Sequence, residues 1–127
     1  MRKITSLQHP LVKRLTKLRK DRAFRNQMES VVIVGSHLVN EVCIKVRARY
    51  LLCSHETIIS PNVKTEELLV VTEEILKKIS GVQTPEEVLA EIPIPIQSSL
   101  EKCRYLVALD GISDPGNLGT LLRTTLA

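Results

Sequence analysis

The 127-residue sequence contains very few aromatic residues: one phenylalanine, two tyrosines and no tryptophan. This scarcity excludes nucleic-acid-binding modules of the RRM kind, which stack several bases on aromatic side chains. No apolar run reaches the roughly 18 residues that a membrane-spanning helix needs. The first ten residues, MRKITSLQHP, contain no apolar stretch of the kind found in a secretion signal. We therefore expect no membrane association and no secretion.

Cysteines and histidines are also too few and too scattered to build a metal site or a disulfide framework. Cys43, Cys53 and Cys103 are an odd number and form no CxxC pair. The sequence therefore predicts no bound metal and a reduced, cytoplasmic setting. Nucleotide-binding loops are missing as well, because the glycines match neither GxGxxG nor a P-loop with its lysine.

Basic residues, in contrast, are concentrated at the start of the chain. Residues 1–25 hold nine of the eighteen lysines and arginines and a single acid, Asp21, whereas the remaining residues carry more acids than bases. A basic segment on a slightly acidic body indicates a polyanionic partner. The alternative is a solvated helix face that only keeps the protein in solution. The candidate binding residues are Lys13, Arg14, Lys17, Arg19, Lys20, Arg22 and Arg25.

Strand and helix patterns alternate along residues 10–92, which predicts an α/β fold. A helix begins at Pro10 and presents Leu11, Leu15 and Leu18 on one side. Ser36 is the expected N-cap of a second helix, and the next helix runs over 73–79, capped by Thr72 and ended by Gly81. The predicted strands cover 31–34, 50–53, 68–71 and 88–92.

A second strand–loop–helix pattern follows a linker rich in proline and polar residues at 93–99. It consists of a predicted strand at Tyr105–Leu109, a turn-rich loop over 110–117 and a helix that continues to the last residues. Asn117 lies near the start of this helix and Arg123 stands six residues later. A helix N-terminus of this kind can bind an anion. The spacing alone favours the simpler interpretation, in which Asn117 is a capping residue and Arg123 a surface residue.

Residues Asp114–Thr124, with the sequence DPGNLGTLLRT, resemble the first signature motif of the SpoU/TrmH family. This family comprises S-adenosylmethionine-dependent RNA ribose 2′-O-methyltransferases of the SPOUT class. Weaker resemblances lie upstream, at 4–13, at Val34-Gly35 with Leu38-Val39, and at Thr84-Pro85 with 88–90. The sequence departs from the family pattern at Val34, where a glutamate is usual, and at Glu86-Glu87, where Gln-Gly is usual.

The resemblance implies an RNA-binding domain over residues 1–97, with a ribosomal-protein-like α/β/α sandwich fold. It implies that residues 98–127 are the first βα unit of a truncated SPOUT domain. The later motifs, which form the trefoil knot that holds the methyl donor, are not in this sequence. The chain is accordingly expected to contain no cofactor-binding residues and to be inactive alone.

The resemblance also implies roles for individual residues and partners. Asn117 and Arg123 would be the catalytic residues, Asn117 orienting the loop or the ribose and Arg123 stabilising the developing alkoxide. The basic residues would bind rRNA or tRNA, and the full-length enzyme would use S-adenosylmethionine and form a homodimer through its catalytic domain. The alternative is a non-enzymatic RNA-binding module of ribosomal-protein-like fold.

Overall fold

The computed structural model describes residues 2–84 and 86–127, which divide into two compact units, Met1–Pro95 and Ile96–Ala127. Pro85, part of the resemblance at Thr84-Pro85, lies outside the described residues. No helix in the described ranges is long and apolar enough to cross a membrane.

The first unit is built on a five-stranded mixed β-sheet. Its spatial order is β1-β4-β3-β5-β2, with parallel pairing of β1 with β4 and of β4 with β3. Strand β5 runs antiparallel to both of its neighbours, β3 and β2. The strands are β1 (Arg2–Ile4), β2 (Ser30–Val34), β3 (Ala48–Cys53), β4 (Thr65–Val71) and β5 (Val88–Pro93).

Helices pack on both faces of this sheet. Side chains of β3, β4 and β5 alternate between the faces, as strand geometry requires. One face forms a core with α1 and α4, and the other forms a separate core with α3. The helices of the first unit are α1 (Pro10–Lys20), α2 (Arg22–Met28), α3 (Ser36–Cys43) and α4 (Glu73–Ser80), with a 3₁₀ turn at Glu56–Ile58.

Most elements of the first unit confirm the sequence predictions. The four predicted strands are present with slightly wider bounds, and α4 ends where Gly81 adopts a left-handed conformation with φ of 74°. Two details differ. Gly35, with φ of 112°, is the N-cap of α3, so the prediction of Ser36 as the cap is wrong. Strand β1 was not predicted, because three residues show no usable alternation.

The second unit contains one helix, α5 (Pro115–Leu126), among the residues described there. The prediction of a buried strand at Tyr105–Leu109 is wrong: this segment pairs with no strand among the described residues, and all five of its residues are exposed. A run of apolar residues has strand propensity, but a strand forms only where a neighbour offers backbone groups to pair with. The helix predicted after the loop is confirmed.

Candidate nucleic-acid interface

Helix α1 places its buried apolar residues and its lysines on opposite sides. Val12, Leu15 and Leu18 are fully buried against the sheet. Lys13, Lys17 and Lys20 are spaced by four and three residues and are exposed. Because a helix turns once every 3.6 residues, these spacings place the lysines on a common outward face. We call Lys13, Lys17 and Lys20 the lysine face.

The arginines among the predicted binding residues make internal contacts instead. Arg19 donates from Nε to the carbonyl oxygen of Ile79 at 2.5 Å, near the end of α4. Arg25 donates to the carbonyl oxygens of Leu18 and Arg19 at the end of α1, at 3.1 and 2.6 Å. These bonds satisfy carbonyls that have no partner within their own helix. The two guanidinium groups thus fix helix ends.

Arg14 forms the most buried ion pair of the first unit. Its Nη1 and Nη2 atoms donate to the two carboxylate oxygens of Glu91 at 2.5 and 2.7 Å. Glu91 is 0% exposed and lies on β5, and Arg49 Nη1 approaches the same carboxylate at 3.8 Å. The hydrogen bond to Glu91 raises the pKa of Arg14 above its ordinary value. The pair therefore ties α1 to the sheet.

Arg22 is the remaining predicted binding residue, and it is exposed at the first position of α2. Asp21 caps this helix by accepting a hydrogen bond from the backbone N–H of Phe24 at 3.1 Å. Lys17 Nζ lies 4.6 Å from the centre of the Phe24 ring, within cation–π distance. Because Arg22 is exposed, its charge extends the basic surface from α1 onto α2.

A cavity of about 410 Å³ opens between the start of α1 and the sheet. Tyr50 on β3 lies between Glu67 on β4 and Glu91 on β5, since it pairs with both in the strand register. Arg2 Nη1 donates to Glu67 Oε1 at 3.1 Å. His9 Nδ1 accepts from the backbone N–H of Leu11. The cavity is lined by Arg2, His9, Pro10, Leu11, Arg14, Tyr50 and Glu67.

Sequence reasoning did not find this cavity, although one signal was present. Glu91 interrupts the apolar sequence of β5 and shares a side with Leu89, which is buried. A carboxylate at such a position requires a basic partner, because an unpaired buried charge is costly. The partner itself, Arg14, is 77 positions away and could not be identified from spacing.

In the second unit, the two predicted catalytic residues lie on α5 but point in different directions. Asn117 donates its backbone N–H to the Asp114 side chain at 3.0 Å, which caps the helix. Six helical residues correspond to a rotation of about 240°, so Asn117 and Arg123 leave the helix about 120° apart. The Arg123 guanidinium turns back toward Gly119, where an added Cβ would lie 3.4 Å from Nη1.

The cysteines are free thiols and, with the histidines, build no metal-binding cluster in the described residues. In the part of the chain that the structure describes, no three His, Cys, Asp or Glu residues are placed to hold a metal ion. Cys43 and Cys53 are buried free thiols, and Cys103 is exposed.

Comparison with known proteins identifies a family that matches this chain. Residues 9–90 match the model of the MRM3-like substrate binding domain. The 23S rRNA (guanosine(2553)-2′-O)-methyltransferase RlmP of Bacillus subtilis is 29% identical over 126 residues, which cover 98% of this chain and 50% of that protein. The chain thus spans about half the length of the curated relatives it matches.

Solved structures of methyltransferases share the fold of this chain. An rRNA methyltransferase from Sinorhizobium meliloti superposes with a TM-score of 0.74 and 25% identity, over 98% of this chain and 50% of that one. An AdoMet-bound rRNA methyltransferase structure from the same organism shares the fold, with a TM-score of 0.69, 23% identity and the same coverage. With a matching family model over most of its length, the chain belongs to the MRM3-like substrate-binding domains of the SpoU/TrmH methyltransferase family, which confirms the resemblance to that family.

Proposed function

We propose that this chain is the RNA-binding part of an S-adenosylmethionine-dependent RNA ribose 2′-O-methyltransferase acting on rRNA or tRNA. In this proposal, residues 1–97 form a ribosomal-protein-like sandwich that holds the RNA. Residues 98–127 begin the methyltransferase domain. The family match over residues 9–90 and the 2′-O-methyltransferase named among the relatives support it.

The observation that carries the proposal is the lysine face of α1. Its three ammonium groups are exposed, and no carboxylate in residues 2–84 and 86–127 lies within ion-pair distance of them. Their charge is therefore available to phosphates, whereas Arg14, Arg19 and Arg25 are engaged in internal contacts. Ammonium groups on flexible stems suit sequence-independent contact with an RNA backbone.

For the chemistry, we propose that Arg123 stabilises the alkoxide that forms on the ribose 2′ oxygen and that Asn117 orients the loop or the ribose. Arginine stays protonated at neutral pH, so its guanidinium acts as a fixed positive charge and not as a base. A positive charge placed where negative charge develops lowers the barrier to methyl transfer. Their 120° separation on α5 fits two distinct contacts better than one shared contact.

The residues of the second unit do not by themselves suit the methyl donor. Every residue in 96–127 except Gly119 is exposed, whereas a ligand of this size requires enclosing walls. We therefore place the donor site in residues beyond this chain and propose that the chain alone is inactive. We further propose that the full-length enzyme forms a homodimer through its catalytic domain and that it acts in the cytoplasm.

RNA binding at different salt concentrations tests the proposal directly. A fluorescent 20-nucleotide RNA hairpin is titrated with the chain at several salt concentrations, and binding is followed by anisotropy. Replacing Lys13, Lys17 and Lys20 together by Gln should weaken binding and flatten the plot of log affinity against log salt by about two units, since each lost phosphate contact removes roughly 0.7–0.9 of slope.

A matched control separates this surface from general charge. Lys45, Lys64 and Lys77 are also exposed lysines of the first unit, and their triple replacement by Gln removes the same charge. This control should leave the slope within about half a unit of the parent. Equal losses in the two variants would contradict the lysine face, and a parent chain that binds no RNA would overturn the proposed function.

A further inference from the structure

We propose that the cavity between α1 and the sheet binds one unpaired base of the RNA, and that it selects guanine. This inference rests on the proposed RNA-binding function and adds a sequence-reading site to the lysine face. The two sites differ in chemistry: the lysine face carries unpaired positive charge, and the cavity carries paired charges and an aromatic ring.

The charge of the cavity favours a neutral ligand over a phosphate. Arg14 is neutralised by Glu91 through two hydrogen bonds, and Arg2 is paired with Glu67. A phosphate entering here would face the Glu67 carboxylate and would find both lining arginines, Arg2 and Arg14, already paired with carboxylates. A nucleobase is uncharged, so it incurs no such repulsion.

The shape and lining of the cavity suit a flat ring. Its volume of about 410 Å³ lies within the range of small-molecule sites. Tyr50 is half-buried and lines the cavity, as do the apolar side chains of Pro10 and Leu11. One aromatic ring with apolar neighbours offers a stacking surface for a single base, which is compatible with a chain containing so few aromatic residues.

The hydrogen-bonding groups of the cavity match guanine. His9 Nδ1 accepts from the Leu11 N–H, so in the neutral ring the N–H is on Nε2, which is a donor. Arg2 is a second donor, and Glu67 is an acceptor whose Oε2 is not used by Arg2. Guanine presents the neighbouring donors N1–H and N2–H on one edge and the acceptors O6 and N7 on another. Adenine, cytosine and uracil each lack at least one of these two arrangements.

The test uses the intact chain with the four nucleoside 5′-monophosphates and inorganic phosphate as probes. Binding is measured by the shifts of backbone amide NMR signals at the cavity. GMP should bind about tenfold more tightly than AMP, CMP or UMP, because a good bidentate contact to a base discriminates by about that factor or more. Inorganic phosphate should not shift the Tyr50 and Glu67 signals.

Glu67→Gln should abolish the preference for GMP, because glutamine offers one acceptor oxygen instead of two and Arg2 would compete with the base for it. Glu66→Gln is the matched control, since Glu66 is the adjacent residue of β4, is exposed and does not line the cavity; it should retain the preference. Thermal unfolding of both variants verifies that they are folded.

The results distinguish this inference from the proposed function. Equal binding of the four nucleotides, or shifts caused by phosphate alone, would overturn the guanine site while lysine-dependent RNA binding left the proposed function intact. Guanine-selective shifts in a chain that binds no RNA hairpin would support the site and overturn the proposed function.

Discussion

Helices α1 and α5 begin in the same way but lie in different surroundings. Each starts with a proline preceded by a residue, His9 or Asp114, whose side chain accepts a backbone hydrogen bond. Helix α1 then buries three apolar side chains completely, whereas the leucines of α5 remain between 37% and 87% exposed. Capping residues therefore determine where a helix starts, and only the surrounding sheet determines how much a helix contributes to stability.

The same contrast distinguishes the two units as wholes. In the first, two apolar cores enclose the sheet, and a buried carboxylate is neutralised by an arginine. In the second, only Gly119 is partly buried. Three measurements test how far this difference extends, beginning with the largest expected effect.

Cysteine labelling should show the difference most strongly. At pH 8, Ellman's reagent should modify the exposed Cys103 about a thousandfold faster than Cys43 and Cys53, which are 0% exposed and reachable only after the first unit opens. Burial raises the pKa of Cys53 from 9.0 to about 11 and raises that of Cys43 in the same direction. In denaturant all three thiols should react at similar rates.

The raised pKa values also define a pH dependence. The folded chain holds these two thiol protons more tightly than the unfolded chain does. For Cys53 the resulting stabilisation is complete below pH 9 and is lost as the pH rises through about 11, and the contribution of Cys43 changes in the same direction. Labelling of Cys53 as fast as that of Cys103 would show that the first unit is not closed.

Removing the buried ion pair should have the next largest effect. Arg14→Gln leaves the Glu91 carboxylate buried with only Arg49 at 3.8 Å. We expect the free energy of unfolding to fall by about 3–5 kcal/mol, the usual cost of leaving one buried charge without its partner. Urea denaturation followed by circular dichroism measures it. Lys13→Gln, on the neighbouring exposed residue, should change stability by less than about 0.5 kcal/mol; equal effects would contradict a structural role for Arg14.

A pair of leucine truncations compares the two helices directly. Leu15→Ala in α1 removes a fully buried side chain and should cost about 2–5 kcal/mol. Leu122→Ala in α5 removes one that is 51% exposed, and the loss should stay below about 1 kcal/mol. The same denaturation experiment serves both variants. A large loss for Leu122→Ala would mean that α5 is buried in solution.

The sequence predicted most of the first unit because its patterns there are local and strong. The β-branched run at 31–34 and the apolar stripe of α4 each indicate their structure within a few residues. The same reasoning failed at Tyr105–Leu109, because pairing depends on a partner strand that no local pattern reveals.

The sequence predicted the positive charge of the candidate site. It did not predict which basic residues face solvent and which make internal contacts. Composition located the basic segment, yet lysines and arginines count equally in a net charge. Only the fold shows that Arg14, Arg19 and Arg25 meet a carboxylate or carbonyls contributed by other turns and strands. The cavity was missed for the same reason, because its lining comes from β1, α1, β3 and β4.

The order of strands in the sheet has a consequence for how the chain folds. The first two strands in sequence occupy the two edges, and their partners, β4 and β5, come late in the chain. Arg2 meets Glu67 across 65 positions and Arg14 meets Glu91 across 77. At the 5–20 residues per second of protein synthesis, the N-terminal third therefore waits several seconds for its partners. Assembly dominated by such distant contacts is slow compared with that of a helical bundle. The ion pair from Arg14 to Glu91, which ties the helix bearing the lysine face to β5, can form only after residue 91 has been synthesised.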